Sequence, residues 1–168
     1  AGPTRLPNAT FTIPGTKTEG SQADGTPVYK TVENVATGGD GTQGLSLEWD
    51  TYAPSFTSYD LEDSCAAPPW SLAPGTSDSV SLILGPATAN SLRVFVTDNA
   101  GSPVGGASVT LSRTGYSKTV TSSSCGNAYF GGISAATYSI SIVKSGYTTT
   151  NFSNVSVSGA TSFSASFP

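Results

Sequence analysis

The chain has 168 residues, a formal net charge of −4, and neither histidine nor methionine. Without histidine, Ser-His-Asp and Cys-His catalytic sets and most zinc sites are excluded. No run of about 18 apolar residues occurs, so no helix can span a membrane. The 19 glycines, 11 prolines and abundant Ser and Thr, with only 11% charged residues, suit short strands and tight turns.

The opening AGPTRLPNAT lacks the shape of a signal peptide. NATFTI (Asn8–Ile13) reads as a strand. The polar stretch PGTKTEGSQADGTP between Ile13 and Val28 reads as a loop extending a hairpin. In LEWDTYAPSF, Glu48 and Asp50 flank Trp49, a pairing of carboxylates and aromatic platform that sugar-active sites use. Their place in a turn, with no second converging acid pair, argues against acid–base work, and no catalytic residue is assigned. Trp49 and Trp70 remain candidate contact aromatics for a partner or glycan, against ordinary packing. Asp60, Glu62 and Asp63 lie close together but lack the D-x-D-x-D-G spacing of a calcium loop, so neither a metal site nor a cofactor is expected. The segment Leu84–Ser91, with Pro86, reads as a short linker of limited freedom.

The second half is organised around SLRVFVTDNAGSPVGGASVTLSRTG. Apolar strands at Leu92–Val96 and Val109–Leu111 flank a loop of turn-forming residues, and Asp98 and Asp40 read as turn formers. Farther on, Tyr138, Ile140 and Ile142 alternate with Ser139 and Ser141, a period of two that buries one face. The expectation is an antiparallel β-sandwich.

The first half reads as a diverged copy of the second. Tyr52 and Tyr138 are 86 residues apart, Tyr59 and Tyr147 are 88 apart, and Gly75 and Gly159 are 84 apart. Trp70-Ser71-Leu72 corresponds to Val155-Ser156-Val157, and NATFTI to GASVTL (Gly106–Leu111). Landmarks at a near-constant offset indicate internal duplication. The chain therefore divides into modules 1–87 and 88–168. The counterpart of strand Leu92–Val96 falls before residue 1, so the first module is expected to be one strand short. A bare edge recruits a partner. Three explanations compete: an upstream strand, a fold-back of Ala1–Leu6, or a strand inserted by a neighbouring molecule.

Cys65 and Cys125 fall one in each module. An intramolecular bridge is expected, linking the modules and adding on the order of 4 kcal/mol by loop closure. An intermolecular bond or two free thiols are the alternatives. Asn8, Asn151 and Asn154 head glycosylation triplets. Residues 1–87 hold three bases and ten acids, 3 − 10 = −7, while residues 88–168 hold four bases and one acid, 4 − 1 = +3. Opposed halves suit head-to-tail contact between copies, or are simply two solvated surfaces. Aromatics do not interleave with a basic stripe, which argues against nucleic acid as a partner.

Several residues carry a resemblance: Leu92, Val94, Asp98, Gly101, Pro103 and Val104, then Gly106-Ala107, Gly126, Phe130, Ile133, Thr137-Tyr138 and Gly146-Tyr147. Over 91–167 the chain resembles the carboxypeptidase regulatory-like, transthyretin-like fold, close to the Cna-B-type repeats of bacterial surface proteins. Through GTKT, LEWDTY and SSSCG it also resembles tandem modules of prokaryotic pilin-like surface proteins. The resemblance implies an all-β chain of two tandem transthyretin-like antiparallel β-sandwich domains, the first lacking its opening strand. Members of that family act mostly as structural or binding modules. The isopeptide crosslink of some Cna-B-type repeats is out of reach in the second module, which has no Glu and carries Arg93 where a Lys would be needed. The expected function is a non-catalytic structural subunit of an extracellular or cell-surface filament or pilus-like appendage. It would polymerise with itself through strand complementation or head-to-tail contacts. The alternatives are a carbohydrate- or protein-binding adhesion module of a larger surface protein, with a glycan as partner, or an accessory domain of an enzyme.

Overall fold

The computed structural model describes residues 5–66 and 68–168, and every regular element among them is a β-strand. In chain order the strands are β1 (Thr10–Pro14), β2 (Thr18–Ser21), β3 (Pro27–Tyr29), β4 (Val32–Ala36), β5 (Asp50–Tyr52), β6 (Tyr59–Ser64), β7 (Trp70–Leu72) and β8 (Leu82–Pro86). They continue as β9 (Ser91–Thr97), β10 (Ser108–Arg113), β11 (Tyr116–Thr121), β12 (Asn127–Gly131), β13 (Ala136–Val143), β14 (Thr150–Val157) and β15 (Ala160–Ser166). Two compact units form. The first holds residues up to Ser58 together with Ala66–Val80, and the second holds Tyr59–Cys65 with Ser81–Pro168. This grouping differs from a division at residue 87 because β6 pairs with β8 and lies against β12 and β9. Leu84–Pro86, expected within a linker, are the end of strand β8.

The second unit contains a two-layer sandwich. One sheet has the order β11-β10-β13-β14, the other β12-β9-β15. Alternation fixes the faces: Leu92, Val94 and Val96 point inward from β9, and Tyr138, Ile140 and Ile142 from β13. These side chains close on Val109, Leu111, Phe130, Val157 and Phe167, all essentially sealed from solvent. Burying each aliphatic side chain of this kind contributes roughly 1.5–3 kcal/mol. One pairing departs from the antiparallel expectation: β15 runs parallel to β9, from Ala160 beside Ser91 to Ser166 beside Thr97. A bulge interrupts the β13–β14 ladder between Tyr138 and Ile140, and Asn154 on the facing strand has φ 59°. Asp98 forms its turn by accepting hydrogen bonds from the N–H groups of Ala100 (2.9 Å) and Ser102 (2.8 Å).

The first unit builds one sheet on the same plan. The β1–β4 and β5–β7 ladders are joined by bridges Thr12↔Ser55 and Gly15↔Tyr52, giving the lateral order β4-β1-β5-β7. Register repeats too: Asp50↔Leu72 and Tyr52↔Trp70 correspond to Ala136↔Val157 and Tyr138↔Val155. Pro54 lacks an N–H and shortens β5 relative to β13. The polar stretch after Ile13 forms its own hairpin, β2–β3. The small core joins Ile13, Val35 and Tyr52, with Phe11, Leu47 and Leu72 packed at its margin. One landmark does not repeat: Tyr147 lies in a loop, whereas Tyr59 opens β6 and is drawn into the second unit.

Candidate functional site

The matching sheets are held by matching side chains. Tyr52 donates from its hydroxyl to the Glu48 carbonyl (2.7 Å) and Tyr138 to the Ser134 carbonyl (2.8 Å), each four residues back. The Thr37 hydroxyl accepts from the Ala9 N–H and donates to the Leu6 carbonyl. The Ser122 hydroxyl accepts from the Ala107 N–H and donates to the Val104 carbonyl. Just beyond, the Gly38 N–H reaches the Thr42 carbonyl as the Ser123 N–H reaches that of Asn127. These bonds equate Leu6 with Val104 and Thr42 with Asn127. Sequence reasoning missed the two hydroxyl caps; a Ser or Thr just after each second strand was the available signal.

In the second unit Asn127 opens β12, whereas Thr42–Ser46 pair with no strand among the described residues. Gly159 precedes β15, and Gly75, also at positive φ, precedes Thr76–Val80, which are likewise without strand structure. Counting from Thr42 places Leu45 where Phe130 stands; Phe130 is 0% exposed and Leu45 is 39% exposed. Val104 is 5% exposed and its counterpart Leu6 is 40% exposed. Among the described residues the first unit thus has its β4-β1-β5-β7 sheet, while Leu6 and Leu45 are exposed.

The acid–aromatic stretch of the first unit is a charge cluster. Asp50 is buried and accepts hydrogen bonds from the Thr16 hydroxyl (2.7 Å), the Lys17 N–H (3.0 Å) and the Thr51 N–H (2.7 Å). Burial pushes its carboxyl up, but these donors outweigh it and hold the pKa down at about 2. Gly15 leaves room for this cradle, since a Cβ there would collide with the Asp50 carboxylate. Glu48 takes Lys30 at 2.7 Å and Lys17 at 3.3 Å, and the Lys30 hydrogen bond lowers its pKa. In both cases the hydrogen bonds favour the ionised carboxylate. Lys17 also lies 3.1 Å from the centre of the Trp49 ring. Trp49 is 55% exposed, while Trp70 is half-buried and donates from its indole N–H to the Ala66 carbonyl.

In the second unit the antiparallel β6–β8 pair is tied to β12 and its preceding turn. Cys65 and Cys125 form a disulfide with Cα atoms 4.7 Å apart. Both cysteines lie in the second unit, so the bond pins a loop inside it, whereas a boundary at residue 87 has it linking the two modules. Gly126, at φ 81°, permits the adjoining turn, where a Cβ would strike the Val96 carbonyl. The Asn127 amide donates to Asp63 (2.7 Å) and to the Ser64 carbonyl (3.0 Å). Asp60 is buried and accepts from the Tyr129 hydroxyl (2.6 Å) and from the Thr88 N–H and hydroxyl. Burial raises its carboxyl, but these donors prevail and the pKa falls below its usual value. Tyr129 is pushed up to about 12 by burial and by its bond to the Asp60 carboxylate.

Asn8, Asn151 and Asn154 are all exposed. Asn8 (φ 56°) and Asn154 (φ 59°) occupy left-handed backbone, and Asn8 stands where Gly106 (φ 70°) does in the second unit. Asn tolerates this conformation better than other residues with a Cβ, which accounts for its presence at both positions. Among the described residues no group of three or more His, Cys, Asp or Glu side chains could hold a metal ion. No helix among them is long and apolar enough to cross a membrane.

Residues 91–167 match the model of the carboxypeptidase regulatory-like domain. No curated protein matches the chain in sequence. Among solved structures, the chain is similar to a Bacteroides uniformis protein provisionally described as carbohydrate binding, at 16% identity and a TM-score of 0.42, covering 48% of this chain and 41% of that one. It is similar to the Bacillus anthracis TIE protein at 13% identity and a TM-score of 0.41, covering 95% of this chain and 34% of that one. Similarity to GBS52, the minor pilin of Streptococcus agalactiae, is 12% identity with a TM-score of 0.38, covering 98% of this chain and 84% of that one. The chain thus spans less than half the length of the first two.

Proposed function

We propose that this chain, whose residues 91–167 match the carboxypeptidase regulatory-like domain model, is a non-catalytic structural subunit of a filament or pilus-like appendage at or outside the cell surface. The observation that carries the reading is the single-layered first unit. It repeats the hydrogen bonds of one sandwich sheet yet leaves the positions of the opposite layer exposed, a surface that contact between subunits would cover. The Cys65–Cys125 disulfide supports an oxidising, exported setting. The modules are read as a duplicated pair, the second complete and the first dependent on assembly. Electron microscopy and sedimentation of the native protein test this: ordered polymers are expected, and monomers persisting at high concentration would refute it.

Trp49 favours a second reading. Its exposed indole, with Lys17 at one ring face, resembles a stacking platform for a sugar in an adhesion module. Titrating the chain with oligosaccharides while following tryptophan fluorescence tests it. Saturable binding lost in Trp49→Ala and kept in Trp70→Phe is the expected result.

A further inference from the structure

We propose that Asn151 carries an N-linked saccharide whose first sugar ring lies in a hydroxyl-lined depression beside it, on the outer face of the second unit. This goes beyond the assembly reading and rests only on its exported setting.

Asn151-Phe152-Ser153 is an acceptor triplet for glycosylation, and Asn8 and Asn154 head two more. A triplet alone decides nothing, but the structure separates the three. Asn151 lies in β14, the edge strand of its sheet, opposite Ser141 of β13. Phe152 turns toward the core and packs on Phe163, ring centres 5.2 Å apart, so alternation turns Asn151 and Ser153 outward. Asn151 is exposed and its side-chain amide makes no hydrogen bond among the described residues. Those of Asn90 and Asn127 are engaged.

The surface beside Asn151 has room for a sugar. The β13–β14 ladder passes from Tyr138↔Val155 to Ile140↔Phe152, so Ser153 and Asn154 together stand opposite Ser139. Such a bulge bends its strand. An open depression of about 250 Å³ lies here, with Ser112, Ser139, Ser141, Asn151 and Ser153 around Ile140 and Phe152. No charged side chain lines it. Its hydroxyls both donate and accept, as do those of a neutral sugar. Asn8 and Asn154 hold left-handed backbone, and neither lines the depression.

Attachment joins the Asn151 amide nitrogen to the anomeric carbon of a saccharide delivered on a lipid diphosphate. The nitrogen loses a proton, the bond from that carbon to the diphosphate oxygen breaks, and the lipid diphosphate leaves. A saccharide at this place shields the free edge of β14 from pairing with another sheet.

The test isolates the full chain from the cells that produce it and maps its peptides by mass spectrometry, with fragmentation assigning the site. A saccharide mass is expected on Asn151, lost in Asn151→Gln and in Ser153→Ala. Ser156→Ala, which breaks only the Asn154 triplet, should keep it. Ser153→Ala preserves the Asn151 amide, so loss there reports the acceptor pattern. Nuclear Overhauser contacts from the first sugar to Ser112, Ser139 or Ser141 are expected in the native glycoprotein. Bare Asn151 on a chain recovered outside the cell would overturn the glycan and leave the exported reading standing. A chain found only inside the cell with two free thiols would overturn both. A saccharide confined to Asn154 or to Ser and Thr hydroxyls would refute the assignment, and one on Asn151 without those contacts would refute the seat.

Discussion

The sheets β11-β10-β13-β14 and β4-β1-β5-β7 agree in strand order, register, hydroxyl cap and tyrosine hydrogen bond, yet the first buries a large core on its inner face and the second only Ile13, Val35 and Tyr52 with partly buried neighbours. Backbone pairing and short-range side-chain bonds therefore suffice to set out a sheet, and burial is contributed separately by the facing layer. Exposed large apolar residues follow the same divide. Leu6, Val28, Tyr29, Val32, Leu45, Trp49 and Val80 belong to the first unit, and Val143 and Tyr147 to the second. Large exposed apolar side chains are thus more numerous on the first unit than on the second.

The largest contrast is expected at the matched pair Phe130 and Leu45. Phe130→Ala should cost about 3–5 kcal/mol by emptying a sealed core position. Leu45→Ala should stay within about 0.5–1 kcal/mol, because Leu45 is 39% exposed and its removal empties no sealed core position. Urea denaturation followed separately for each unit reads both values, and equal losses would mean that the first unit has a closed core. Next in size is the disulfide. Cys65→Ser should lower the second unit's stability by up to about 4 kcal/mol in the chain-entropy account. The first unit's transition should not move, since neither cysteine belongs to it.

Much of the second unit was legible because β9, β10 and β13 alternate cleanly and their turns carry Asp, Gly and Pro. The likeness of the two sheets showed through Tyr52 and Tyr138, whose hydroxyls make the same local bond in each. The β6–β8 pairing was not legible. SYDLEDS reads as an acidic loop, and it becomes a strand because Tyr129 and Asn127 of β12 supply donors for Asp60 and Asp63. That tertiary pairing also moved the unit boundary and placed Cys65 beside Cys125 within one unit. The parallel course of β15 was hidden too, since alternation reports which face is buried and not which way a strand runs.

Smaller effects should come from the caps. Ser122→Ala removes a buried hydroxyl that bridges the Ala107 N–H and the Val104 carbonyl, and should cost about 1–3 kcal/mol. At Thr37→Val the same two bonds are lost at a partly exposed site, where water can replace them, and about 0.5–1 kcal/mol is expected. Chemical denaturation of the two variants side by side checks the order. A reversal would show that the cap of the first unit is the better shielded one.

The finest distinction between the units lies in pH. Asp50 in the first unit has its pKa lowered from 3.8 to about 2, so its hydrogen-bonded carboxylate favours the folded form above pH 4 and loses that advantage as pH falls toward 2. Tyr129 in the second unit is raised from 10.0 to about 12, so its contribution is complete below pH 10 and disappears as pH rises toward 12. Asp50→Asn should therefore flatten the acid limb of the first unit's stability between pH 4 and pH 2 and leave its alkaline limb alone. Tyr129→Phe should make the second unit's decline between pH 10 and pH 12 shallower. Its acid limb persists through Asp60, which keeps both Thr88 donors. Thermal unfolding across the pH range separates the two limbs. An Asp50→Asn protein whose first unit still softened below pH 4 would show that Asp40 or Glu48, also lowered by their hydrogen bonds, governs the acid behaviour of the open sheet.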